Sequence, residues 1–377
     1  MLYRMLTLLL TLILTWFASV SPAPINDVCT GRTLQPRPPD FSPQGIIISA
    51  WNREAMWAYD VARNARYPID NTAPCGTNCH LSPDALSITY RDIEAGAFGA
   101  MWLNGANRRV FIRDVTEVQW WSDDRLLVWS ERNRPFLFDP RDDSREPFAV
   151  NGLVNIQPGG YWGMTITLDD DGLFARRLVD GRGDGDGNGV DLGADEPYFS
   201  AAVWSPDGAY LAFVARAEHD DAFRRGAEVY LIAPEDSTAT RATHFTGAYG
   251  AVRIGGRAHN GLSWSPDSRR LAFWVIPRTG PDIAADLGAA QLHILHIGTG
   301  QIDVYCDYAT TDHTPNPPRL VWSPDGSKVA FAGENTARGS GTALIALDVE
   351  SGDFYTLSLD VIAAMGRPDV IAWGRSP

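Results

Sequence analysis

"WSPDG" occupies residues 204–208 and returns at 322–326, and "WSPDS" stands between them at 264–268. Ser-Pro-Asp-Gly is turn chemistry. Pro sets φ near about −65°, Asp bonds its own local backbone, and Gly accepts positive φ at the exit. Each phrase is followed by a short β-prone run containing Ala: "YLAFVA" (210–215), "RLAFWV" (270–275) and "KVAFAG" (328–333). Each is preceded by a strand-like "AAVW", "GLSW" or "RLVW". Strand, tight turn, strand therefore recurs in one order three times, and the small Ala predicts close packing between neighbouring sheets.

Degraded copies lie upstream: "HLSPDALSITY" from 80, "WWSDDRLLVWS" from 120 and "IQPGGYWGMTIT" from 156. The turns fall near 82, 122, 157, 205, 265 and 323, about 40 residues apart early and about 60 late. A repeat of this length with four strands predicts an all-β propeller of four-stranded antiparallel blades. "AEVYLIA" (227–233), "QLHILHI" (291–297) and "TALIALD" (342–348) read as third strands. The ends are complementary. Residues 45–69 hold three strands without the turn phrase, and "DVIAWGRSP" (369–377) holds an inner strand with nothing after it. The last strand is expected to close the first blade, which gives seven blades and no free edge. Six blades is the alternative, with 151–200 as something else.

These phrases resemble the WD40-like (PD40) repeats of the TolB C-terminal propeller, and related repeats occur in the dipeptidyl peptidase IV family. The resemblance is sharp at 204–215, 264–275 and 322–333 and looser over 80–175. It implies the architecture and a habit of binding proteins or peptides. TolB's N-terminal α/β domain has no room here, so the role of TolB does not carry over. The peptidases' hydrolase domain is also absent, and no G-x-S-x-G occurs.

The chain has 377 residues, 45% of them apolar, and a formal net charge of −14. That charge disfavours nucleic acid and anionic membrane as partners. Residues 1–23 read as a signal peptide or an uncleaved anchor: Arg4 precedes an apolar stretch from Met5 to Val20, then small residues and Pro. Residues 24–44 are Pro-rich and expected to run over the surface of a single propeller domain, 45–377. Four cysteines in an exported chain predict disulfides among Cys29, Cys75, Cys79 and Cys306. Of three pairings, Cys75–Cys79 with Cys29–Cys306 is preferred. "CGTNCH" has one residue too many for haem attachment.

The insertion 180–197 contains "DGDGNGVDLGAD" (184–195), which fits D-x-[DN]-x-[DN]-G-x5-[DE]. Asp184, Asp186, Asn188, the Val190 carbonyl and Asp195 are the expected ligands of a structural calcium ion, with Gly189 at the bend. The loop is similar to those of dockerins and thrombospondin type 3 repeats, without flanking helices.

No catalytic residues can be assigned. His293 and His296 are three apart on a strand and face opposite sides, so they share no metal. Insertions at 216–228, 276–290 and 334–342 occupy one topological position and should share a face with the linkers 247–260 and 307–318. That face would gather Arg224, Arg225, Arg253, Arg257, His259 and His313 as a basic site for an acidic peptide or a carboxylated glycan. The expected function is an extracytoplasmic, non-catalytic propeller binding a protein, peptide or glycan through those loops. The competing expectation is a polysaccharide lyase or hydrolase with a metal in the central pocket, approached by His259 and His313.

Overall fold

The computed structural model describes residues 24–51, 55–73, 79–130, 135–148, 150, 152–182, 189–195, 201–217, 226–255, 261–278, 288–311, 317–334, 341–359 and 369–377. The N-terminal segment 1–23 and Cys75 lie outside them. Seven antiparallel sheets follow one another along the chain. They are the seven blades expected, and 151–200 contributes blade 4 rather than a separate unit: strands Leu153–Ile156, Trp162–Leu168, Phe174–Asp180 and Val190–Asp195.

The ring closes as the ends predicted. Strand Asp369–Gly374 is the innermost of blade 1, paired antiparallel with Ile46–Trp51, followed by Ala55–Asp60 and Ala65–Ile69. Blade 2 is the least regular, because its innermost strand is reduced to a single bridge, Leu81 to Ile88.

The turn phrase is a closed hydrogen-bond knot. In blade 5 the Ser205 hydroxyl donates to Asp207 Oδ1 at 2.6 Å and accepts the Tyr210 N–H at 3.0 Å. Asp207 Oδ1 then accepts the Ala209 N–H at 3.0 Å. The same pairs form at Ser265–Asp267, Ser323–Asp325 and Ser82–Asp84. The fifth residue takes positive φ each time: Gly208 at 70°, Gly326 at 71°, but also Ser268 at 58° and Ala85 at 59°. The last two carry a side chain where one costs on the order of 1 kcal/mol, so the knot, not the glycine, sets the turn. In the runs that follow, Ala212, Ala272 and Ala330 are fully buried, as close blade packing requires.

The Pro-rich segment does more than run over the surface. Ile25–Val28 adds a parallel strand outside Ile302–Thr310 of blade 6, and Gln35–Pro36 does the same outside Phe354–Leu359 of blade 7. Phe41 then packs on Trp373 and Tyr355, with ring centroids 6.5 and 5.8 Å away. Between the two added strands, Cys29 is disulfide-bonded to Cys306, the pairing preferred from sequence. Cys79 is disulfide-bonded as well. The segment is a strap across blades 6, 7 and 1.

The strap is locked covalently to a residue 277 positions away. Replacing Cys29 and Cys306 together by Ser should lower unfolding stability by about 2–4 kcal/mol, read as a drop in the urea midpoint. Variants rather than a reductant are needed, since Cys79 is also bonded. An unchanged midpoint would show that the strap holds without its lock.

Candidate axial site

Three of the repeat tryptophans tie their blade to the one before it. Trp264 Nε1 donates to the Val203 carbonyl at 3.1 Å, Trp322 Nε1 to the Ser263 carbonyl at 2.9 Å, and Trp120 Nε1 to the His80 carbonyl at 3.1 Å. The acceptor in each case is the inner-strand residue just before the repeat tryptophan or its equivalent. In chain order from blade 2 these residues are His80, Gln119, Asn155, Val203, Ser263 and Val321, with Ala372 of the closing strand completing the ring. The latches hold the inner strands around the axis, where a cavity of about 270 Å³ opens between them.

Its walls include His80, Gln119, Trp120, Asn155, Trp204 and Arg319, from blades 2, 3, 4, 5 and 7. Each polar group is positioned by its neighbours. The His80 backbone N–H donates to Thr89 Oγ1 at 2.8 Å, and the imidazole Nε2 stands 3.4 Å from Glu117 Oε1. Gln119 Nε2 donates to the same Glu117 oxygen at 3.1 Å. Asn155, only 7% exposed, donates Nδ2 to the Ala202 carbonyl at 3.3 Å. The site can accept and donate hydrogen bonds at several points, and it carries an imidazole beside a carboxylate.

The residues singled out from sequence fall elsewhere. Arg253 lies on strand Val252–Ile254 and is 1% exposed, so it belongs to the interior and not to a solvent-facing basic surface. A strand position beside buried Val252 and Ile254 gave no sign in the sequence that its side chain turns inward. Arg224, Arg225, Arg257, His259 and His313 lie outside the described residues. His293 is buried among Phe245, Tyr249 and Phe273, and burial pushes its imidazole down to about 4. His296 instead pairs with Asp303 at 2.8 Å, so the two histidines do face apart. Among the described residues, no three His, Cys, Asp or Glu side chains are grouped to hold a metal.

Of the expected calcium ligands, Asp184, Asp186 and Asn188 lie outside the described residues. Val190 and Asp195 begin and end a strand paired with Phe174–Asp180, at Leu178 and Phe174. Their partners are four strand steps of about 3.3 Å each apart, too far for Val190 and Asp195 to hold one ion together. Asp195 is also engaged. Its Oδ1 meets Arg216 Nε at 3.0 Å, its Oδ2 accepts the Arg216 N–H at 3.0 Å, and buried Arg176 reaches Oδ2 at 3.9 Å.

Sequence reading missed the axial ring. His80 was absorbed into its turn phrase, and Gln119 and Asn155 belong to no motif. The signal that finds them is the column before the repeat tryptophan, read across blades.

No family model matches the chain, and no curated protein matches it. Among solved structures it is similar to TolB from Acinetobacter baumannii, at 14% identity over 88% of this chain and 67% of that one, with a TM-score of 0.48. It is similar to an oligogalacturonate lyase in complex with manganese, at 12% identity over 84% and 86%, with a TM-score of 0.47. A puromycin hydrolase mutant complexed with PGG matches at 13% identity over 85% of this chain and 54% of that one, with a TM-score of 0.51. These likenesses concern the fold: the chain is a seven-bladed propeller similar to those of TolB proteins.

Trp204, Trp264 and Trp322 are equally buried, at 6, 7 and 5% exposure, but the Trp204 N–H has no partner. Trp264→Phe and Trp322→Phe should therefore each cost about 1 kcal/mol more than Trp204→Phe, the net worth of the lost latch. Chemical denaturation of the three variants measures the difference. Equal losses would show that the latches contribute nothing beyond packing.

Proposed function

We propose that the chain is an extracytoplasmic, non-catalytic propeller that binds a protein, peptide or glycan, with the axial cavity at the heart of the recognition surface. The observation that carries this reading is the convergence of His80, Gln119, Asn155 and Arg319 from four blades on one cavity walled by tryptophans. Polar groups held at fixed positions in an apolar cup are how proteins select ligands, and a rigid scaffold surrounds them. An extracytoplasmic setting is supported by the disulfides and by the leader-like residues 1–23.

A panel of peptides and oligosaccharides, screened on the immobilised protein and followed by calorimetry of the hits, tests the assignment. Gln119→Ala and Arg319→Ala should each weaken a true ligand about tenfold, the effect of losing roughly 1.4 kcal/mol. Hits that bind both variants as well as the parent would move the function away from the axis.

One observation favours the enzymatic alternative. The His80 side chain, which lines the cavity, and the Glu117 carboxylate 3.4 Å from it are the kind of pair that moves protons in general acid–base catalysis. Cleavage of a polysaccharide by the purified protein, abolished in His80→Ala, would establish that reading over the first.

A calcium ion, where the acidic insertion holds one, draws on Asp184, Asp186, Asn188 and the Val190 carbonyl, with Asp195 left to its arginines. Calcium should then raise the melting midpoint, and Asp184→Ala should abolish the rise. Asp195→Ala should lower the midpoint equally with calcium and with EDTA, because it strands Arg176 and Arg216. A midpoint indifferent to calcium in the parent protein would leave the insertion a plain connection.

A further inference from the structure

The seam between blades 4 and 5 departs from the latch pattern. In blade 4 the repeat tryptophan is replaced by Ile156, and the inner strand shifts register between Leu153 and Asn155. By the rule that sends Trp264 to Val203 and Trp322 to Ser263, Trp204 should donate to the Asn155 carbonyl. It does not: Trp204 Nε1 is buried without a partner. Asn155 Oδ1 is likewise buried without one. The orientation of that amide is fixed, since only its nitrogen can face the Ala202 carbonyl it meets at 3.3 Å. Ala202 and Trp204 are two apart on one strand, so both leftover groups sit on the same seam, and both residues line the axial cavity.

One unused donor and one unused acceptor define what completes them. A carboxylate offers only acceptors and leaves Asn155 Oδ1 unmet. An ammonium offers only donors and leaves the indole N–H unmet. A hydroxyl accepts and donates at a single atom, whereas an amide divides the two roles between its oxygen and its nitrogen. A water can do the same, but 270 Å³ holds about nine waters at roughly 30 Å³ each, so the cavity has room for a ring carrying several hydroxyls. Trp120, Ile156 and Trp204 supply apolar wall for the face of such a ring, and His80, Gln119 and Arg319 supply polar wall for its rim.

The geometry points to a saccharide subsite in the axial cavity, in which one sugar hydroxyl accepts from Trp204 Nε1 and donates to Asn155 Oδ1. This rests on the binding function proposed above and selects the glycan among its three ligand classes.

Indole N–H resonances of the full chain, labelled with 15N at its 13 tryptophans, provide the test. Trp204→Phe identifies the Trp204 signal and, since that N–H makes no bond, keeps the fold. The probes are the methyl glycosides of glucose, galactose and mannose and their disaccharides, with acetate and methylammonium as counter-probes. At least one glycoside should move the Trp204 signal saturably, while both ions leave it in place. Calorimetry with that glycoside should show binding at least tenfold weaker in Trp204→Phe and in Asn155→Leu. A Trp204 signal unmoved by every glycoside, or moved only by an ion, overturns the saccharide assignment. If peptides then bind with the sensitivity to Gln119→Ala described above, the binding function stands without it; if nothing binds at the cavity, both fall.

Discussion

A closed ring is held by whichever junction is not a peptide bond, and here that is the pairing of the last strand with the first. Ile46 to Ala50 register against Gly374 to Asp369, and this ladder joins the two ends of the chain inside one blade. If it opened, blades 1 and 7 would each expose a face that is now buried, such as Val321, Ala330 and Leu344 against Ile47, Val370 and Trp373. The strap reinforces that junction from outside. It runs from blade 6 past blade 7 to Trp373 on the closing strand, so the N-terminal segment crosses the seam that the C-terminal strand makes. Both ends of the chain are thus spent on one structural problem, and the central blades are left to their latches and buried faces.

Most of the fold was legible because its signals are local. Turn phrases with Pro, Asp and Gly mark hairpins within ten residues, and the third strands stand out by their apolar runs. Closure could be read because 45–69 and 369–377 are complementary fragments. The strap pairing could not: Ile25–Val28 meets Ile302–Thr310 as a parallel strand across 277 residues, and nothing in "INDV" names that partner. The site was less legible still. Arginines and histidines in loops invited a basic face, yet Arg253 is interior. The axial residues are ordinary amino acids at extraordinary positions. Their role comes from the symmetry of the ring, which sequence shows only when the column before each tryptophan is compared across blades.

The seam between blades 4 and 5 also shows how the ring tolerates an irregularity. Where the tryptophan latch fails, Arg176 of blade 4 takes over part of its work. Buried at 2% exposure, its guanidinium donates to the Val214 carbonyl of blade 5 and lies over the Phe213 ring at 5.6 Å. Asp195 balances its charge and ties in Arg216 of blade 5. The bond lost near the axis is replaced by an ionic network farther out, and the two blades stay joined.

That displacement has a functional consequence. In a ring where every inner-strand carbonyl accepted a tryptophan N–H and every side-chain amide found a partner, the axis would be chemically saturated, and a ligand would have to compete with bonds already made. Burying an unmet polar group is costly, so such groups are rare and seldom adjacent. Here a donor and an acceptor are left over on one seam, in two residues that line one cavity, beside a blade that lacks its tryptophan. The defect in the repeat is therefore where recognition can be had without breaking the scaffold: the ligand supplies the bonds that the blades withhold from each other, while the outer ionic network keeps those blades in register whether or not the ligand is there.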